Sequence, residues 1–97
     1  MNVQKKVSRG TRAENLMKNE NWSVMKDYIA RRIDIITSTI TDGTKPEIEC
    51  GIIIKTSDQV YRECVGELRA LKSIGPDFER FIKQKDDIIK KYEDGQH

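Results

Sequence analysis

Apolar residues recur along this chain at helical intervals, most regularly in its second quarter. Between Trp22 and Ile40 they recur about every 3.6 residues for five turns, which predicts a helix over residues 22–40. Asp42-Gly43 follows directly, and glycine commonly ends a helix. We therefore expect a long amphipathic helix followed by a short turn.

A shorter helix is predicted upstream of it. Thr11 and Glu14 form a T-x-x-E capping box, in which the threonine hydroxyl accepts a hydrogen bond from the backbone of the glutamate and the glutamate reaches back. The polar residues 19–21 interrupt the apolar pattern, so this helix has only about two turns. Since helices below roughly 12 residues are marginal alone, we expect it to dock on another surface through Leu16 and Met17.

The segment after the turn has two interpretations. Residues 57–74 have apolar positions at helical spacing and are predicted to be helix. Upstream of them, residues 51–54 suit either the same helix or a short strand, after which Thr56 and Gln59 would cap a new helix. We favour one helix over residues 46–74, because a lone four-residue strand has no obvious partner.

A last helix is predicted near the C-terminus. Gly75-Pro76 predicts that the preceding helix stops there, and Asp77 is a typical N-cap for the next one. From Phe78 to Tyr92 the apolar positions recur at heptad-like intervals. This pattern predicts an amphipathic C-terminal helix.

The predicted elements form one domain with flexible ends. Residues 1–9 show no apolar periodicity and are expected to form a basic flexible tail, with a second flexible tail over residues 94–97. Residues 10–93 are predicted to form a single helical domain of the all-α class. Its expected architecture is an antiparallel helical hairpin with a short N-terminal helix and the amphipathic C-terminal helix. Because the apolar faces exceed what so short a chain covers, we expect an oligomer.

Charge is distributed unevenly along the chain. The 97 residues include 18 Lys and Arg and 16 Asp and Glu, for a net charge of +2. Residues 1–18 hold five cations and one carboxylate, a net charge of +4, which leaves the remainder at −2. Clustered cations neutralise phosphates, so the basic end is either a solubilising tail or a contact with nucleic acid. The candidate residues for that contact are Lys5, Lys6, Arg9 and Arg12.

Chemistry typical of enzymes is absent from the sequence. The one histidine is His97, the final residue, and neither C-x-x-C nor a phosphate-binding glycine pattern occurs. Cys50 and Cys64 are predicted to be free, buried thiols. We therefore predict that the protein is not an enzyme, with no catalytic residue, no metal ligand and no cofactor.

No segment of the sequence predicts contact with a membrane. No apolar run approaches the roughly 20 residues of a membrane-spanning helix. The N-terminal residues also lack the apolar stretch of a secretory signal. We therefore expect a cytoplasmic protein, or one assembled in the cytoplasm.

Large apolar and aromatic side chains mark a candidate protein interface. Such residues anchor many protein–protein contacts, because they bury much area at little cost in conformational entropy. The interface candidates are Leu16, Met17, Trp22, Tyr28, Phe78, Phe81 and Tyr92.

Two sequence motifs carry a resemblance to a known group of proteins. Arg9, Gly10, Arg12, Ala13, Leu16 and Met17 match R-G-x-R-A-x-x-L followed by a hydrophobic residue, and Leu68, Ala70 and Leu71 match an L-x-A-L-like stretch. Over about residues 8–74, the chain resembles small helical proteins encoded in the virion-assembly gene clusters of tailed bacteriophages. The resemblance implies a non-enzymatic part of a phage particle or of its assembly machinery, present in several copies. It would be found in the host cytoplasm during assembly and in the virion.

These observations give one leading functional hypothesis and two alternatives. The leading hypothesis is a phage structural or assembly protein that acts by self-association or by docking on a larger particle protein. The first alternative is a nucleic-acid-binding accessory, a packaging or regulatory factor that uses the basic N-terminus for a contact with DNA. The second is an antitoxin-like or inhibitor module that folds onto one partner.

Overall fold

Helices dominate the computed structural model, which describes residues 2–95. They hold 75 of these 94 residues, about 80%, and a small antiparallel sheet of two strands holds seven more. The elements are α1 (Val3–Lys18), α2 (Trp22–Asp42), β1 (Glu47–Glu49), β2 (Ile52–Lys55) and α3 (Ser57–Asp94). The mainly helical fold is confirmed, although the prediction contained no sheet.

Helix α1 begins well before the predicted capping box at Thr11. Its N-cap is Asn2, whose Oδ1 accepts a hydrogen bond of 2.8 Å from the backbone N–H of Lys5. Thr11 lies inside the helix, where its hydroxyl donates to the carbonyl oxygen of Val7. Residues 3–9, predicted to be part of a flexible tail, are therefore helical in the structure. These residues contact α3 through Arg9. Because Arg9 is polar, it does not contribute to the apolar periodicity from which helices were predicted.

The prediction of one helix over residues 46–74 is wrong. Strand β1 supplies the partner that the prediction lacked, pairing Ile48 with Ile53 and Glu49 with Ile52. Between the strands, Cys50 and Gly51 have φ values of 50° and 77°, and a two-residue hairpin turn of this type needs positive φ at both positions. The consecutive β-branched side chains of β2 favour extended backbone over helix.

The alternative interpretation of this segment correctly gives the start of α3. The backbone N–H of Gln59 donates to the hydroxyl of Thr56 at 3.2 Å, and the backbone N–H of Thr56 donates to the Gln59 side chain at 2.8 Å. This reciprocal pair is a capping box. The expected burial of both cysteines is wrong for Cys50, which is exposed at the tip of the hairpin, whereas Cys64 is half-buried on α3.

Helix α3 also continues through the predicted stop at Gly75-Pro76. Pro76 lies inside the helix and is exposed, so its ring meets solvent rather than neighbouring side chains. Proline removes one helical hydrogen bond. The half-buried side chains of Phe78 and Phe81, on the next turns, give the continued helix packing that offsets this loss. Asp77, the predicted cap, instead pairs with Arg80 at 3.2 Å.

The described chain divides into two compact units. The terminal unit consists of residues 2–25 and 74–95, and the central unit of residues 26–73. The predicted tail over residues 94–97 includes two residues that lie outside the described part of the chain, and α3 ends at Asp94.

In the central unit, a two-point ion pair joins α2 to α3. Arg32 Nε donates to Glu67 Oε1 at 2.7 Å, and its Nη2 donates to Oε2 at 3.1 Å. The hydrogen bond from Arg32 lowers the pKa of Glu67 below its usual range. Ile36, 3% exposed, is the most buried side chain of this unit among the described residues.

In the terminal unit, an aromatic contact forms the centre of the small core. The rings of Trp22 and Phe78 are 5.6 Å apart between centroids and tilted by 45°, a favourable geometry for aromatic pairs. Trp22 is 8% exposed and Ala13 is 5% exposed. Phe81 extends the cluster, with its ring centroid 6.3 Å from that of Phe78.

Candidate interaction groove

A groove of about 580 Å³ lies between α1 and α3 in the terminal unit. Helix α1 contributes three cationic side chains to its lining, those of Lys5, Arg9 and Arg12. Apolar lining comes from Leu16 of α1 and from two phenylalanines of α3. Among the described residues, no Asp or Glu lines the groove, so it combines an apolar floor with a positive rim. We call it the basic groove.

The basic groove depends on a close approach of the two helices at Gly10. A Cβ atom placed on this glycine would lie 2.6 Å from the carbonyl oxygen of Phe81, and it would also overlap Cβ of Lys85. Only a residue without a side chain permits this approach. Gly10 is therefore the position that sets the spacing of α1 and α3.

Arg9 is held in a fixed position across the basic groove. Its guanidinium carbon lies 3.9 Å from the centroid of the Phe81 ring, within the range of a cation–π interaction. Its Nη2 donates a hydrogen bond of 2.8 Å to Oε1 of Gln84. The Nε atom is buried and has no hydrogen-bond partner among the described residues. Arg9 thus covers one face of Phe81 and belongs to the packing of the terminal unit.

The carboxylate of Glu14, on the same helix, is engaged outside the basic groove. It accepts hydrogen bonds from Lys18, at 2.8 Å, and from Lys85 of α3. The hydrogen bonds from Lys18 and Lys85 lower the pKa of Glu14 to about 2, and Glu14 raises the pKa of Lys85. Glu14 therefore stays ionised far below neutral pH, and it is already partnered rather than free to neutralise the groove.

The structure brings together members of both predicted residue sets. Of the nucleic-acid candidates, Lys5, Arg9 and Arg12 line the basic groove, while Lys6 is half-buried outside its lining. Of the interface candidates, Leu16, Phe78 and Phe81 line it, Met17 is half-buried, Trp22 is buried against Phe78, and Tyr28 and Tyr92 are 60% and 70% exposed. The two candidate sets therefore overlap at one surface of the terminal unit.

Sequence reasoning missed three residues that build this surface. Gly10, Gln84 and Lys85 were not among the candidates, although each holds α1 against α3. Gln84 and Lys85 have no distinctive sequence pattern. Gly10 precedes the predicted helix start at Thr11, so no sequence pattern indicated the close approach that the structure shows there.

Neither a metal centre nor a membrane span is found in the described structure. Within residues 2–95, no three or more His, Cys, Asp or Glu side chains are grouped so as to hold a metal ion. None of the helices in that range combines the length and the apolar character that crossing a bilayer requires.

Comparison with family models, with curated proteins and with solved structures gives no match to this chain.

Proposed function

We propose that the protein is a non-enzymatic assembly protein that acts by self-association or by docking on a larger protein. The observation that carries the proposal is the sparse burial of its apolar side chains. Among the described residues, only Ala13, Trp22 and Ile36 are buried hydrophobic residues, and no side chain is fully buried. A stable single chain normally hides more of its apolar surface than this.

Many large apolar side chains remain at the surface. Exposed by 40–70% are Val3, Leu16, Val24, Met25, Tyr28, Ile35, Ile48, Ile52, Ile53, Ile54, Tyr61, Ile89 and Tyr92. Single exposed hydrophobic residues are ordinary, but contiguous ones mark interaction sites. Tyr28 and Ile35 are seven residues apart and share one face of α2, and β2 exposes three consecutive isoleucines.

A virion provides a setting in which many copies of one chain cover each other's apolar faces. The phage setting is supported by the sequence resemblance over residues 8–74, and the docking role by the exposed residues. In this role α2 and α3 would form the antiparallel helical hairpin within the central unit, and the basic groove of the terminal unit would be a docking surface. The protein would work during particle assembly in the host cytoplasm and remain in the virion.

Light scattering at increasing protein concentration tests this function. We expect a weight-average mass that rises above the 11.2 kDa of one chain, because association removes apolar side chains from water. A second arm measures whether the protein co-purifies with phage particles. A mass of one chain at every concentration, together with no binding to particle proteins, would contradict the proposal.

Nucleic-acid binding is the second candidate function, favoured by three cations on one surface without a carboxylate. The variant Lys5→Glu/Arg12→Glu is expected to weaken binding to duplex DNA and to flatten its dependence on salt, because fewer counterions are released. Arg62→Glu/Arg69→Glu makes the same change in net charge at two exposed positions of α3 in the central unit, and it is the matched control. Gel-shift titrations across salt concentrations provide the measurement. Equal binding by all three proteins would remove this candidate.

A further inference from the structure

The end of α3 exposes an apolar face that continues the line of the basic groove. Tyr92 follows Phe81 by eleven residues, just over three helical turns, so the two side chains lie on the same side of α3. Tyr92 is 70% exposed and Ile89, three residues before it, is 40% exposed. The face that packs at Phe81 is therefore left uncovered about two to three turns further on.

A carboxylate borders this uncovered face. Glu93 is four residues after Ile89, so their side chains are neighbours on the helix surface. Glu93 makes no ion pair with any described residue, and the same holds for Lys5 and Arg12 on the rim of the basic groove. The terminal unit thus carries an apolar site with unpaired cations and an apolar face with an unpaired carboxylate.

We infer that the basic groove of one copy binds the Ile89–Tyr92–Glu93 face of a second copy. Tyr92 and Ile89 pack on the apolar floor beside Leu16, and Glu93 pairs with Arg12 or Lys5 on the rim. Tyrosine is a common anchor of interfaces, because its ring buries a large area while its hydroxyl stays hydrated at the edge. This inference rests on the proposed function and names the partner for one of its surfaces.

Two features favour a second copy over nucleic acid at this groove. Its floor is apolar, and the Phe81 ring on which a base would stack is already covered by Arg9. Every copy also carries both the groove and the complementary face. In a two-fold dimer, each copy gives its face to the other's groove, so the contact is made twice.

Charge exchange between the two surfaces tests the inference. Arg12→Glu and Glu93→Arg are each expected to raise the dissociation constant of self-association by roughly 10- to 100-fold, because each places like charges opposite one another, twice in a two-fold dimer. The double variant Arg12→Glu/Glu93→Arg restores the attraction in reversed sense and should return the constant to within about threefold of the starting protein. Sedimentation equilibrium provides the measurement.

Two controls and one further test variant accompany the charge exchange. Arg62→Glu makes the same change of charge at an exposed residue that does not line the groove, and it should leave association unchanged. Tyr92→Ala removes the anchor ring from an exposed position without adding a charge, and it should weaken association as strongly as Glu93→Arg. Far-UV circular dichroism verifies that each variant remains helical.

The outcomes separate this inference from the broader function. Association that none of the groove or face variants alters would overturn the inference and leave self-association through another surface standing. Single variants that weaken association without recovery in the double variant would also overturn the direct pairing. If the protein does not associate at any concentration, the inference is wrong. Co-purification with phage particles then decides whether the protein docks on a larger protein.

Discussion

Replacing Trp22 with alanine should lower the free energy of unfolding by about 3–5 kcal/mol, as is typical for a buried tryptophan. Trp22 is one of three buried hydrophobic residues in the described chain, and its ring packs on Phe78. In so small a core, few neighbouring side chains can move to fill the cavity that this substitution leaves. Urea denaturation followed by far-UV circular dichroism measures the change.

Two further variants make the Trp22 result interpretable. Trp22→Phe keeps an aromatic ring against Phe78 and should be clearly less destabilising than alanine. Tyr28→Ala removes an aromatic side chain that is 60% exposed, and it should change stability by less than about 1 kcal/mol. If Trp22→Ala were as mild as Tyr28→Ala, the aromatic contact would not be the centre of the terminal core.

The elements that local sequence determines were predicted best. The helix over residues 22–40 has an apolar stripe of helical period, and the structure confirms it and extends it to Asp42. The capping box at Thr56 and Gln59 was recognised, but the segment before it was assigned to the wrong element. A strand depends on a partner, and β1, with one isoleucine between two glutamates, is too short for its alternation to be recognised as a strand pattern.

Tertiary contacts explain the remaining differences. Pro76 was expected to end a helix, which is its local preference, but aromatic packing on the following turns maintains α3 through it. Residues 3–9 show no apolar stripe, and α1 instead contacts α3 through Arg9, which lies over the Phe81 ring, and at Gly10, beside the carbonyl oxygen of Phe81. A search for apolar periodicity does not detect these residues, although they form the contact between α1 and α3.

The parts of the basic groove could be predicted from the sequence, but their combination into one site could not. Its cations and its phenylalanines were both identified, but as two separate candidate sites. They lie about 70 residues apart in sequence, and nothing in either segment indicates the other. The residue that joins them is Gly10, which has no side chain to suggest a role.

Replacing Gly10 with alanine should therefore destabilise the protein, although alanine is the better helix former. Helix propensity alone would raise stability by about 0.5–1 kcal/mol. The added Cβ would meet the carbonyl oxygen of Phe81 at 2.6 Å, and a backbone atom cannot turn aside as a side chain can. Moving α1 away strains the contacts of Arg9 with Gln84 and of Glu14 with Lys85, and overpacking of this kind costs about 1–3 kcal/mol.

Gly66→Ala is the matched control for this prediction. Gly66 is exposed within α3, and apart from its chain neighbours and the backbone of its own helical turns, no described residue lies within 4 Å of the Cβ that alanine would add. The same substitution should therefore stabilise the protein by about 0.5–1 kcal/mol. Urea denaturation of the two variants side by side should give changes of opposite sign. Stabilisation by both would mean that α1 and α3 do not approach closely at Gly10, and the basic groove would then lose its structural basis.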